Sequence, residues 1–388
     1  MKAGWQTKTF GEILEKTETT NPLQSPDVEF DYIDVSSVSN QTFRIEETQR
    51  LKGKDAPSRA RRLVRTNDIL FATIRPTLQR IAIVPKEFDN QVCSTGYYVL
   101  RPKVGIDHRF VFYALLTEDF MGQMETLQKG ASYPAVNDSE VRAQLLAYPP
   151  LPEQQRIVGI LDAAFDGIAT AKANAEQNLQ NAHALFESHL QSVFTQQDEG
   201  WVEKSLGDIC EATQGVQIQK SEQSPIFLPG YRRYLYISDF ESDKNLKYVV
   251  DVYPNKLVTT EDIIVANTGS AGKIFRGIDG ILSNNLFKVS INTSVADRDF
   301  VYFFVTSGLF RDYQQSIMRG TANPHMGHVN FKSTPISVPN IEVQKYVVAK
   351  IHELSEETQR LASLYQRKLA ALDELKKSLL HQAFSGEL

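Results

Sequence analysis

Catalytic signatures are absent from this sequence. It has no G-x-S-x-G nucleophile elbow, no H-E-x-x-H zinc motif and no glycine-rich dinucleotide fingerprint after a strand, which sets aside the common hydrolase, metalloprotease and oxidoreductase readings. The Asn-Pro-Pro-aromatic tetrapeptide with which amino-methyltransferases hold an extruded adenine is missing too; the single Pro-Pro pair, Pro149-Pro150, follows Tyr148. There are only two cysteines, Cys93 and Cys210, with no C-x-x-C, which argues against a disulfide framework or a zinc knuckle and predicts buried free thiols. No apolar run approaches the roughly 18 residues that span a bilayer. The opening MKAGWQTKTFGEI also lacks the apolar core of a signal peptide, so a cytoplasmic protein without a membrane partner is expected. The GSAGK of Gly269 to Lys273 resembles a phosphate loop but fails in detail: its glycines are three apart, and Ile274 stands where a magnesium-holding hydroxyl belongs. It reads as a turn. His325 and His328 have no third ligand at a telling spacing, so no metal and no cofactor are expected on the chain itself.

A large excess of charge of one sign is lacking as well. The net charge of -5 over 388 residues disfavours a uniformly basic nucleic-acid binder. Its distribution is uneven: lysine and arginine against aspartate and glutamate run 19 to 19 over residues 1–150, 2 to 7 over 151–199, 14 to 14 over 200–338 and 7 to 7 over 339–388. The whole deficit therefore lies in the second segment, and any polyanion would be met by local clusters in the two larger blocks.

What is present is a repeat. Shifted by 190, PPLPEQQRIVGIL at Pro149 falls on PNIEVQKYVVAKI at Pro339, and the register runs ungapped to Phe194 over Phe384 with eight identities. Upstream, GWQTKTFGEI at Gly4 answers GWVEKSLGDI at Gly200, TNDILFA at Thr66 answers TEDIIVA at Thr260, FVFYALL at Phe110 answers FVYFFVT at Phe300, and GASYPAV at Gly130 answers GTANPHM at Gly320. The same order in both halves indicates a tandem duplication. Short β-rich runs such as DILFATI, RIAIVP and YYVLRP, and in the second half YLYIS, DIIVAN and LFKVSI, are punctuated by Gly, Pro, Asn and Asp, with a short helix at each FVFYALL-type stretch. The expected class is α+β: mixed α/β lobes at 1–150 and 200–338, each followed by a long helix, at 151–199 and 339–388.

Both helical segments carry a heptad seam. In the second it runs Val347, Ile351, Leu354, Thr358, Leu361, Tyr365, Lys368, Leu372, Leu375 and Leu379; in the first, Ile157, Leu161, Ala164, Ile168, Ala171, Ala175, Asn178, Ala182, Leu185 and His189. A small seam facing a large one suits an antiparallel coiled coil in an internally pseudo-twofold molecule. Pro152 and Glu153 suit a helix start, and Gly200 and Gly386 fall just past the ends. About 40 residues at 1.5 Å each make a rod of about 60 Å, a rigid spacer between lobes. Two amphipathic helices each packed on its own lobe is the alternative.

The positive signal for a ligand is clustered charge. RLKGKDAPSRARRLVR, Arg50 to Arg65, holds seven basic residues against one acidic, among them Lys52, Lys54, Arg59, Arg61, Arg62 and Arg65. Arg75 and Arg80 follow. In the second lobe Lys220, Arg232, Arg233, Lys273, Arg276 and Arg319 are more dispersed, with Tyr231 and Tyr234 interleaved. Two lobes with basic loops on a spacer suit a long anionic partner read at two places. Arg59 to Arg65 and Arg232-Arg233 are candidates for phosphate; Arg75, Arg80, Asn267, Lys273 and Arg276 are candidates for base edges.

Taken together, the two GW motifs, TNDILFATIRP and TEDIIVANTGSAGK, GASYPAV and GTANPHM, PPLPEQQRIV and PNIEVQKYVV, and the closing HQAFSGEL resemble the specificity subunits of type I restriction-modification systems over essentially the whole chain. PNIEVQ departs from that family's PxxEQ pattern by having Val343 before Gln344. The resemblance implies two target recognition domains that each read half of a bipartite sequence in double-stranded DNA. It also implies a coiled coil that fixes the gap and docks modification subunits, two of them, which carry S-adenosylmethionine, and a motor-nuclease subunit that completes the complex. A rod near 60 Å is close to two turns of B-DNA at about 34 Å each. A specificity module of another multisubunit or fused restriction system, and a coiled-coil scaffold whose lobes bind protein, are the competing readings.

Overall fold

The structure is a computed structural model that describes residues 4–195, 199–318 and 325–388. It divides into two compact units, residues 1–176 with 367–388, and residues 177–366. Each of the two long helices, Leu151–Thr195 and Ile341–Ser385, begins in one unit and ends in the other.

In the first unit the strand Ile69–Ala72 pairs antiparallel with Ile81–Ile83 and with Tyr97–Leu100. All four residues of Ile69–Ala72 are buried. This strand is apolar without alternation because both its faces are covered, and the period of two divides it: Ile69 and Phe71 face one apolar cluster, Leu70 and Ala72 another. The second cluster is closed by a four-stranded sheet in the order Gln49–Lys52, Glu29–Ile33, Val92–Ser94, Ala60–Leu63, whose two middle strands are parallel. The first is closed by the helices His108–Leu115 and Glu118–Leu127, capped by Asp107 and Thr117. The strands Gln6–Thr9 and Leu145–Tyr148 pair antiparallel, bringing the start and the end of the lobe together.

The second unit repeats this plan. TEDIIVA forms the strand Ile263–Ala266, again split by period two, with Ile263 and Val265 on the helix side and Ile264 and Ala266 on the other. Its partners are Leu286–Ile291 and Ile274–Phe275. The mixed sheet runs Tyr248–Val250, Tyr231–Leu235, Gly280–Leu282, Leu257–Val258; Asp297 caps Arg298–Thr306, and Val202–Ser205 pairs with Pro335–Val338. The GSAGK segment is a turn, in which the Gly272 N–H donates to the Ala266 carbonyl and both glycines have positive φ.

The long helices meet antiparallel in the first unit. Arg156 near the start of one reaches the Leu388 carbonyl past the end of the other, and Lys172 pairs with Asp373. Of the expected seam, Ile157, Leu161, Ile168 and Ile351 are buried, and Leu354, Leu361, Leu372 and Leu379 are half-buried. Leu185 and Leu375 do not belong to it: they are 55% and 46% exposed, and Phe186 and Lys376 take their places. An α-helix of 3.6 residues per turn drifts about 20° per heptad against a strict seven-residue repeat, so the contact line moves onto the next residue. Leu179 is likewise covered where Asn178 is exposed, and Leu369 where Lys368 is.

Candidate nucleic-acid interface

The helix entrances explain the motif that both halves keep. Gln154 is fully buried: its Oε1 accepts from the Asp107 N–H (2.9 Å), while its Nε2 donates to the carbonyls of Pro149 (2.9 Å) and Gly105 (3.3 Å). Gln344 is buried in the same way, accepting from the Asp297 N–H (2.7 Å) and donating to Pro339 (2.8 Å) and Val295 (3.1 Å). An amide is required because the position faces one donor and two acceptors. The residue before it, Glu153 or Val343, lies on the outside of the helix, and Glu153 pairs with Arg156; the Glu-to-Val departure therefore leaves the latch intact. The latch joins each long helix to the cap of a helix in its lobe, His108–Leu115 in the first and Arg298–Thr306 in the second.

The basic residues of the first lobe fall into two sets. Lys52 and Lys54 are exposed beside a tight turn in which a Cβ on Gly53 would lie 2.2 Å from the Ser25 carbonyl, and Arg59 is exposed before the strand Ala60–Leu63. The others are engaged. Arg61 donates to its neighbour's carbonyl at Ala60, Arg62 pairs with Asp138 (2.8 Å) and Arg65 with Glu18 (2.7 Å). Arg80 donates to the carbonyls of Val35, Ser36 and Val38, holding that turn in place. Arg75, at positive φ, stacks on Tyr133 (5.1 Å) and donates to the Ser132 carbonyl, and its N–H donates to Pro134 (2.7 Å). These contacts tie the GASYPAV loop to the end of the central strand and leave Tyr133 72% exposed.

In the second lobe Lys220 is exposed and carries no ion pair among the described residues. Arg232 pairs with Asp251, Arg233 with Asp239 and Asp243, and Lys273 with Glu241 over the Phe275 ring. Asn267 is buried; its side chain donates to Asn284 and its carbonyl accepts from Met326. Arg276 lies over Tyr302 (4.4 Å) and pairs with Asp299, which also faces His352 of the long helix. Burial would raise the Asp299 carboxyl, but the Arg276 guanidinium and His352 hold it below the usual carboxylate range. Arg319 and most of GTANPHM lie outside the described residues. His328 bonds Gln214 and packs on Phe287, and the described residues contain no cluster of three or more metal-ligating side chains. Cys93 and Cys210 are free and buried; burial pushes the Cys210 thiol up to about 12.

A sequence profile of the family described as "Type I restriction modification DNA specificity domain" matches twice, over residues 2–181 and 198–366. The chain belongs to the type I restriction-modification specificity subunits. Among relatives, it is 25% identical over 213 residues to the type I restriction enzyme MjaVIII specificity subunit of Methanocaldococcus jannaschii, covering 54% of this chain and 45% of that one. It is 27% identical over 188 residues to the HindI specificity subunit of Haemophilus influenzae, covering 47% and 40%. The matched stretch thus spans less than half the length of these two specificity subunits. Among solved structures, a chain described in terms of complex assembly and conformational transition of the type I R-M system superposes with a TM-score of 0.90 at 24% identity, over 100% of this chain and 99% of that chain. The HsdS subunit from Thermoanaerobacter tengcongensis gives 0.70 at 25% identity, over 100% and 98%. The fold of this specificity subunit is therefore that of two α/β domains with two long helices packed together.

Sequence reading missed the buried role of Gln154 and Gln344, although the recurrence of that glutamine at an offset of 190 was its signal. It also missed Tyr113, whose hydroxyl donates to Asp162 (2.6 Å) on the first long helix; burial and that carboxylate together raise the phenol's pKa.

Proposed function

We propose that this specificity subunit reads a bipartite target in double-stranded DNA, one half-site per lobe, and has no catalytic activity of its own. The observation that carries the reading is the double match of a DNA specificity domain to a duplicated lobe. Modification subunits, two of them, would supply S-adenosylmethionine and methyl transfer, and a motor-nuclease subunit would complete the restriction complex, acting in the cytoplasm where free buried thiols stay reduced. The helices would set the gap between half-sites. Lys52, Lys54, Arg59 and Lys220 are the phosphate contacts this reading favours, because they are exposed and have no carboxylate partner among the described residues. Arg62, Arg65, Arg232 and Arg233 already have such partners, and would have to exchange them for phosphate.

Methylome sequencing of cells expressing the chain with its modification subunit tests the reading. A bipartite methylated motif with a fixed gap is the expected result, and no new motif in a complex that does assemble would overturn it. Binding by the same complex should lose affinity for all duplexes when Lys52, Lys54 and Arg59 are replaced by alanine. The slope of log K against log salt should flatten by up to about 0.9 per phosphate contact removed.

A further inference from the structure

The ends of the two long helices dock in equivalent ways. Phe384, at the end of the second, packs on Phe110 (4.8 Å) in the first unit; Phe194, its counterpart at an offset of 190, packs on Phe300 (5.2 Å) in the second. Leu380 and Leu190, also counterparts, are buried beside them. Identical residues on equivalent phenylalanines cannot tell one lobe from the other, so on these contacts alone either helix end would fit either lobe.

The neighbouring positions differ, and they differ by inversion. Lys377 pairs with Glu118 (3.3 Å) in the first unit, with Asp119 beside it in sequence, whereas its counterpart Glu187 pairs with Arg311 (3.6 Å) in the second. Lys376 lies half-buried over the rings of Phe165 (5.0 Å) and Phe43 (4.8 Å), and burial lowers its pKa. Its counterpart is Phe186, which shares a groove with Ser355, and Ser355 is in turn the counterpart of Phe165. One unit thus sets a large ring against an amphipathic stem, and the other a small hydroxyl against a ring. Asp373 pairs with Lys172, while the counterparts of that pair are His183 and Ala362, which line the same groove.

We propose that the two halves are keyed to each other and against copies of themselves. The first lobe and helix start accept only the end of the second helix, and the second lobe and helix start only the end of the first. Pairing of the first half with a second copy of itself would set Glu187 against Glu118, His183 against Lys172 and Phe186 against Phe165. Self-pairing of the second half would set Lys377 against Arg311 and leave Lys376 over Ser355 with no ring to cover its stem. Like charges and mismatched volumes reject both. The partner that the keys exclude is another copy of the same half, and the result is that each half pairs only with the other.

The test uses the full-length chain with the second helix end carrying the first helix's key, Asp373→His, Lys376→Phe and Lys377→Glu together. The control truncates the same three residues to alanine, which removes the contacts without adding the wrong ones. The thermal midpoint is read for both. The keyed variant should melt below the alanine control, because no helix end of the chain then matches the first lobe. Adding Phe165→Ser and Glu118→Lys, which give the first unit a small hydroxyl and a cation as in the second, should restore most of the midpoint. A keyed variant no worse than the alanine control overturns the proposal, and so does a compensated variant that recovers nothing.

Discussion

Replacing Gln154 by alanine removes three hydrogen bonds from a fully buried position. The Gly105 carbonyl lies at an exposed residue and can turn to water; Pro149 is buried, and Asp107 is half-buried with its N–H directed at the buried Gln154 amide, so these two groups do so less readily. A stranded buried donor or acceptor costs about 1–3 kcal/mol, so two of them put the loss at about 2–6 kcal/mol before any cavity is counted. Gln154→Glu makes the reasoning sharper. Its shape is unchanged, but a carboxylate replaces the amide donor that faces two carbonyls. It should cost at least as much as alanine at neutral pH, and less in acid, where the protonated group can donate once again. The chain has two tryptophans, Trp5 packed in the first unit and Trp201 in the second. In a W201F background, guanidinium unfolding followed by Trp5 fluorescence therefore reports the first unit. Glu153→Ala, on the outside of the same turn, should leave the midpoint essentially unchanged. A Gln154→Ala midpoint equal to that of Glu153→Ala, or a Gln154→Glu variant as stable as the parent, would refute the latch.

Gln344→Ala should act through the second unit alone, shifting the Trp201 transition in a W5F background by a similar amount. Leu185→Lys and Leu375→Lys should alter stability by less than about 0.5 kcal/mol, because both side chains are exposed, whereas Ile168→Ala should cost about 2–4 kcal/mol by circular-dichroism melts. Arg80→Ala should destabilise the first lobe through the three carbonyls it holds, yet leave the salt slope of DNA binding in the assembled complex unchanged, the reverse of the outcome for Lys52, Lys54 and Arg59. For pH, Asp262 and Asp299 are both held below the ordinary range against the opposing pull of burial: Asp262 by the Thr259 N–H and Lys288, Asp299 by Arg276 and His352. The unfolded chain then binds protons first, so the second unit keeps this stability above about pH 4 and loses it as pH falls through the depressed values. Asp299→Asn should flatten that acid limb in Trp201-monitored unfolding, and an unchanged slope would count against the pairing.

The duplication, the two α/β domains and the packed long helices were legible because each leaves a periodic trace: 190 for the repeat, two for TNDILFA and TEDIIVA, near 3.5 for the helices. The seam was legible only as far as the period held. Leu185 and Leu375 fit the heptad and are exposed, because a nearly straight helix drifts off a strict seven-residue line. Cations behaved differently, because a sequence shows a charge but not its partner. Arg80, Arg233 and Arg276 look like ligand-seeking residues in basic loops, yet their partners are the carbonyls of Val35, Ser36 and Val38, and the carboxylates of Asp239 and Asp299. The same blindness hid the keys. Glu187 and Lys377 occupy equivalent places in the repeat and read as ordinary surface charges until each is seen against its own lobe. What the duplication kept, Gln154 with Gln344 and Phe194 with Phe384, builds the joint; what it changed, Glu187 with Lys377 and Phe186 with Lys376, decides which joint forms. Divergence at docking positions of a duplicated chain is therefore better evidence about assembly than identity is, since identical positions serve correct and incorrect pairings equally.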